Sequence, residues 1–222
     1  MSCLYNGYFV FMELFQNKYR IKSTRLPYWD YTSNGFYFIT ICINKGRHSL
    51  GRIENGTMIL SRAGEIASLC WQEISSHFVG MYIDEFIIMP NHVHGIVIID
   101  RNAETLPVEA SHVEKSNVET SHVMSLPQRE NQFSKPIRGS LSVIIQQFKS
   151  SVTRRCRKEG ISRFVWQPRF FDHIIRNDRS FNRIKEYIQI NPQKWEYDHE
   201  NENDIPAESK EKIWKELLKS TL

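Results

Sequence analysis

Apolar residues recur along the chain in two periods. Phe36 to Asn44 (FYFITICIN) is aromatic and β-branched and is bounded by Asn34-Gly35 and Lys45-Gly46, so it predicts a buried strand. Gly51 to Leu60 reads as a hairpin with Asn55-Gly56 as its type I′ turn. Ser61 is a candidate N-cap, after which Ile66, Leu69, Cys70 and Ile74 fall at helical spacing to about Ser76. Tyr82 to Met89 predicts a strand, Pro90-Asn91 a turn, and His92 to Asp100 the antiparallel partner.

Residues 101–135 differ in kind. Val108-Glu-Ala-Ser-His, Val113-Glu-Lys-Ser-Asn, Val118-Glu-Thr-Ser-His and Val123-Met-Ser-Leu-Pro form a five-residue repeat too poor in apolar residues to build a core. The stretch reads as a low-complexity, disordered insert, and the repeat accounts for His112 and His122 without a metal. Beyond it, Leu141, Ile144, Ile145, Phe148 and Val152 make the apolar stripe of a helix over Ser140 to Lys158. A strand interrupted at Pro168 is expected within Phe164 to Ile175. A helix capped by Asp178 or Ser180 should run to about Asn191, where Pro192 stops it. Glu208 to Lys219 predicts a short amphipathic helix. This order of elements predicts an α+β fold, a largely antiparallel sheet with its helices packed on one face.

Composition narrows the class. The chain has 222 residues, 41% hydrophobic and 24% charged, which excludes collagen-like, mucin-like and wholly disordered chains and fits one domain with additions. Cys3, Cys42, Cys70 and Cys156 lack metal-knuckle spacing and suit a reducing compartment. No apolar run reaches the roughly 18 residues of a membrane span, and the N-terminal MSCLYNGYFVFM lacks the basic start of a signal peptide. Translation from Met12 is the alternative start. A cytoplasmic protein, nucleoid-associated when bound to DNA, is expected. The net charge of +4 hides an asymmetry: Pro136 to Trp195 holds 13 Lys and Arg against 4 Asp and Glu, whereas Glu196 to Leu222 holds 4 against 8. The basic block points to a polyanion, most plainly nucleic acid.

One segment concentrates chemistry. In Met89-Pro-Asn-His-Val-His-Gly, a strand would set His92 and His94 on one face, a pair suited to a divalent metal. Gly95-Ile96 stands where a zinc hydrolase would want Asp-His. A partner group could come from the last long helix, where Arg183, Tyr187 and Asn191 share a stripe beside the apolar Ile184 and Ile188. Tyr187 also suits amphipathic packing, and Asn191 suits a helix C-terminus.

His92-Val93-His94 after Met89-Pro90-Asn91, Asp172-His173-Ile174-Ile175-Arg176, and Tyr187-Ile188-Gln189-Ile190-Asn191-Pro192 together resemble the HUH single-tyrosine transposases. The closest branch is the REP-associated tyrosine transposases, which Arg25 to Tyr31, Gly35 to Thr40 and Ser142 to Arg154 also resemble. Gln193-Lys194 departs from the Val-Arg usual there. The resemblance spans residues 25–195, with 1–24 as an N-terminal extension and 196–222 as an acidic tail. It implies a ferredoxin/RRM-like sheet and a metal-dependent single-stranded DNA endonuclease and strand transferase acting at hairpin-forming repeats. His92, His94 and Asn191 would hold Mg²⁺ or Mn²⁺, and Tyr187, helped by Arg183, would form a 5′-phosphotyrosine. Lys149, Arg154, Arg155, Arg157, Arg169 and Arg183 would contact DNA, with Trp29, Tyr31 and Trp166 as stacking candidates. Asp172 and His173 stay open between a place in the site and a place in the sheet. A homodimer is compatible with the reading. The competing readings are an RRM-like binding module without catalysis and a relaxase- or replication-initiator-like nickase.

Overall fold

The computed structural model describes residues 4–5, 8–9, 26, 29–102, 137–201, 205–206, 208–210 and 212. The 101–135 insert beyond residue 102, most of the 1–24 extension and most of the expected 208–219 helix lie outside the described residues. A short antiparallel pair, β1 (Leu4–Tyr5) and β2 (Tyr8–Phe9), comes first. The central sheet holds four antiparallel strands in the order β6 (Met81–Ile88), β7 (His92–Ile99), β3 (Gly35–Cys42) and β8 (Phe171–Ile175). The hairpin of β4 (Gly51–Glu54) and β5 (Thr57–Leu60) stands apart from that sheet. Its turn has φ of 50° at Asn55 and 73° at Gly56, the double left-handed geometry a type I′ turn demands.

Alternation along β3 and β7 divides the molecule. Tyr37, Ile39 and Ile41 with Val93, Val97 and Ile99 face the larger core, which α1 (Arg62–Gln72), α2 (Ile74–His77) and α3 (Leu141–Lys158) cover. Phe38, Ile96 and Ile175 face the other way and meet Ile188 of α4 (Asp178–Ile190). The α+β antiparallel sheet is therefore as expected, but the helices are not confined to one face. The last helix lies opposite the others, because Phe38 and Ile96 leave an apolar strip on the second face that its own stripe can bury.

Local signals decide the helix starts. Ser61 caps α1, its hydroxyl accepting from Gly64 N at 3.2 Å. The cap of α4 is Asn177 rather than Asp178 or Ser180: its side chain accepts from Ser180 N at 2.8 Å. Residues before Pro168 contribute only an isolated bridge between Trp166 and Ile43, so β8 begins at Phe171. Trp166 is buried, while Trp29 and Tyr31 pack against the core, so all three aromatic stacking candidates serve packing here. Among the described residues no helix is long and apolar enough to cross a membrane.

Trp71 fills the heart of the larger core, stacked 6.0 Å from Phe86 and edge-on 5.1 Å from Phe148. It can do so only because position 95 of β7 is glycine: a Cβ there would overlap the indole ring. Gly95→Ala should therefore destabilise by about 1–3 kcal/mol, the usual cost of overpacking. The cost should shrink when Trp71→Leu makes room. Urea unfolding of the two single variants and the double variant checks this, and additive effects would contradict it.

Candidate active site

The alternation that builds the core presents the two histidines on the second face. His92 is fully buried and His94 nearly so, and their rings lie 4.3 Å apart. Each is oriented through Nδ1. His92 Nδ1 lies 2.9 Å from Asn91 Oδ1, and His94 Nδ1 lies 2.9 Å from Thr40 Oγ1, its cross-strand neighbour in the Thr40–His94 pair. With those Nδ1–H groups donating, both Nε2 lone pairs turn toward the site, the usual arrangement behind metal-binding imidazoles. Neither Asn91 nor Thr40 was singled out from sequence. Asn91 stands in the Met-Pro-Asn-His motif, but Thr40 emerges only from strand register.

Helix α4 crosses this face and delivers Tyr187. Its hydroxyl is 3.1 Å from His94 Nε2, and its ring stands edge-on to Phe38. Ile188 is the one fully buried residue of α4, so polar contacts also fix the helix. A bulge in β6 between Ile83 and Phe86 turns Asp84 and Glu85 to α4. Lys185 donates to Asp84 at 2.7 Å and Gln189 to Glu85 at 3.0 Å, one helical turn apart and either side of Tyr187.

The chain then enters a 3-10 helix (Asn191–Tyr197) that brings up groups assigned from sequence to an acidic tail. Asp198 is fully buried. Its Oδ2 accepts from Asn191 Nδ2 at 2.9 Å and from the Tyr187 hydroxyl at 3.4 Å, and lies 3.9 Å from His94 Nε2. Ligand atoms of His92, His94 and Asp198 all lie within 4.8 Å of one another. Trp195 lies tilted against His92, and the backbone oxygen of Glu200 accepts from Asn91 Nδ2 at 2.6 Å. Segment 195–200 thus closes the site.

Electrostatics follow from that burial. It pushes His92 down to about 3, with His94 adding to the shift, so the imidazole stays neutral and keeps its lone pair. Burial, then Asp198 and Glu200, push the Tyr187 phenol well above its ordinary 10. Burial also opposes the charge of Asp198, yet the two histidines and the Asn191 amide outweigh it and hold the carboxyl below its ordinary range. Two buried acceptors of the site, His92 Nε2 and Asn191 Oδ1, have no hydrogen-bond partner among the described residues. Orphaned lone pairs beside a buried carboxylate are a donor set that a hard divalent cation satisfies. The residues present fit the expected ion, with Asp198 as a donor that sequence reasoning missed.

Other expected residues fall elsewhere. His173 pairs with Phe38 across the sheet, and it and Asp172 border a cavity of about 210 Å³ near the start of α4, outside the His-His-Asp cluster. Arg183 makes no hydrogen bond to Tyr187. Arg155 is engaged by Glu73 through bonds of 2.9 and 2.6 Å. Lys149 donates to the backbone oxygens of Gln167 and Arg169 at 2.6 and 2.7 Å and so ties down that loop. Arg154 and Arg157 are exposed on the face opposite the histidines, and Arg169 is exposed with φ of 68°.

No family model matches the chain. It is 37% identical over 180 residues to an uncharacterised protein of Haemophilus influenzae, across 80% of this chain and 91% of that one. A second Haemophilus influenzae protein, assigned to the REP-associated tyrosine transposases, is 23% identical over 168 residues, 76% of each chain. Among solved structures, that of a REP-associated tyrosine transposase bound to a REP hairpin matches with a TM-score of 0.45 at 21% identity, across 77% of this chain and 74% of that one.

The neutral burial of His92 has a consequence for stability. Its folded pKa lies near 3 against the ordinary 6.5. Below 6.5 the unfolded chain takes up a proton that the folded chain refuses, so stability falls as pH drops toward 3. In EDTA, unfolding free energy should drop by about 2 kcal/mol between pH 7.5 and pH 5, at about 1.4 kcal/mol per unit. Urea titrations at the two pH values measure it. His92→Gln should flatten the dependence, and an equally flat wild-type curve would show that His92 is not held neutral.

Proposed function

We propose that the chain is a distant member of the REP-associated tyrosine transposases, like the relative 23% identical to it, and that it cuts and transfers single-stranded DNA at hairpin-forming repeats, with Tyr187 as nucleophile. The observation that carries the reading is the 3.1 Å approach of the Tyr187 hydroxyl to His94 Nε2, beside the buried His92 and Asp198. His92, His94, Asn191 and Asp198 would hold Mg²⁺ or Mn²⁺. Bound there, the cation supplies positive charge for the phosphate in the transition state and favours the phenolate.

The remaining steps belong to the chain's own groups. Tyr187 Oη attacks the scissile phosphorus, the bond to the 3′ oxygen breaks, and the products are a 5′-phosphotyrosine and a free 3′-hydroxyl. The phosphodiester bond is conserved in the adduct, so rejoining needs no nucleotide cofactor. The Tyr187 hydroxyl donates to Asp198 Oδ2 at 3.4 Å, which orients the nucleophile; the phenol gives up its proton as the new bond forms, and the departing 3′ oxygen takes up a proton to become the hydroxyl. Thr40 and Asn91 hold the imidazoles in the tautomer that leaves both Nε2 atoms unprotonated. The four-residue interval from Tyr187 to Asn191, the C-cap of α4, puts nucleophile and ligand about one turn apart at the end of that helix.

A labelled hairpin oligonucleotide with single-stranded flanks, incubated with Mn²⁺ and resolved on denaturing gels, tests the reading. Wild type should give a covalent adduct. Tyr187→Phe should bind with near wild-type affinity and give none, and the double replacement of His92 and His94 by Ala should also give none. Asp198→Asn should raise the Mn²⁺ concentration needed for half-maximal cleavage about tenfold. An adduct in Tyr187→Phe would move the nucleophile elsewhere.

A further inference from the structure

The exposed cations of α3 form one end of a longer track. Arg154, Arg157 and Lys158 border an open groove of about 550 Å³ that Trp166 also lines. The segment Phe164–Gln167 runs alongside the end of β3: Asn44 N donates to Val165 O, Gln167 N donates to Cys42 O, and Ile43 pairs with Trp166. Side chains alternate along such an extended segment. Trp166 therefore lines the groove, while Val165 lines a second cavity of about 210 Å³ together with Arg163, Lys45 and Arg47. The turn that carries Lys45 and Arg47 touches the active site. Gly46 O accepts from Asn91 Nδ2, and His48 stands edge-on to Trp195, whose ring lies against His92. An unbroken series of contacts thus leads from the α3 face, round the end of β3 where Cys42 pairs with His92, to the histidine face.

We propose that Lys45, Arg47 and Arg163 carry the phosphate backbone of single-stranded DNA round this end of the sheet, between the α3 groove and the active site. The proposal rests on the DNA-cutting function above and supplies the path which that function needs, because basic helix and nucleophile lie on opposite faces. All three side chains are exposed. None forms an ion pair among the described residues, whereas Arg52, Arg62, Arg155 and Lys185 are each held by a carboxylate. Unpaired cations keep their charge available for phosphate, and each such contact releases counterions from the strand. The sequence singled out none of the three as a DNA contact: Lys45 and Arg47 lie 91 and 89 residues before the basic block, and Arg163 was only one charge within it.

The test uses the full chain and fluorescein-labelled oligo(dT) of about 20 nucleotides, with binding followed by anisotropy from 50 to 300 mM NaCl. In Lys45→Gln/Arg47→Gln/Arg163→Gln, affinity at 150 mM NaCl should fall about tenfold or more. The slope of log K against log salt should shrink by about 2, at roughly 0.7 per single-strand phosphate contact. The control is Arg138→Gln/Arg179→Gln, which removes cations at the opposite end of the sheet, where β3 starts and α4 begins. It should change the slope by less than half as much. Circular dichroism and urea midpoints establish that both variants are folded. An unchanged slope in the triple variant, or an equal loss in both variants, overturns the path. Wild type that binds oligo(dT) but forms no covalent adduct would instead overturn the catalytic function and leave the path to be judged by the slopes alone.

Discussion

Everything at the site depends on the antiparallel register between β3 and β7. That register sets Thr40 opposite His94 and Cys42 opposite His92, and the pleat then sends both imidazoles to one face while Val93, Gly95 and Val97 go to the other. A slip of one residue would bury the valines where the histidines belong and expose Trp71's glycine slot. The register is held from the core side: Ile39, Ile41, Val93 and Val97 are fully buried, and Trp71 fits only against a residue without a side chain. Core packing on one face thus fixes the geometry of polar groups on the other, and the chemistry needs no rigid loop to support it.

The second requirement is the placement of α4. A helix with a single fully buried residue could slide or roll on its apolar strip, and a roll of one residue moves a side chain by about 100°. The β6 bulge limits this by offering Asp84 and Glu85 in succession to Lys185 and Gln189. The ion pair is partly exposed and individually modest. Its value lies in spacing, since two contacts one turn apart fix both rotation and translation of the segment that bears Tyr187.

Much of this was legible before any coordinates. Period-two and period-3.6 patterns located β3, β6, β7, the I′ hairpin, α3 and α4 to within a residue or two, because those elements bury one face and must alternate accordingly; the first helix, expected to run to about Ser76, instead ends at Gln72 with a separate turn at Ile74–His77, and the last strand starts only at Phe171. The pairing of His92 with His94 followed from strand geometry, and that of Tyr187 with Asn191 from helix geometry. What escaped depends on contacts distant in sequence or on competition for a partner. Asp198 lies seven residues beyond Asn191 in a stretch whose composition matches a solvated tail, and only the 3-10 turn after Pro192 swings it inward. Arg155 and Lys149 resemble their neighbours Arg154 and Arg157 in sequence. Glu73 and two backbone carbonyls claim them, and no charge count shows which cations are already engaged. The face chosen by α4 escaped as well, since a hydrophobic stripe says that a helix packs but not on which side of a sheet.

The charges within the site set the order in which it can work. Asp198 is a buried anion supported by an amide and a phenol, with the buried His92 imidazole held neutral nearby. Under those conditions Tyr187 cannot ionise, because a phenolate would place a second negative charge beside the first in a medium that screens poorly. A phosphodiester arriving alone would make matters worse by adding a third. On the proposed function, positive charge would enter the site before or together with the DNA, and His92 Nε2 and Asn191 Oδ1, unpartnered among the described residues, are the buried lone pairs that would receive it. The same reasoning explains why two imidazoles and an amide are joined by only one carboxylate. In the proposed site one anion would gather the cation, while the imidazoles and the amide would complete the set without neutralising the charge that the phosphate and the phenolate require.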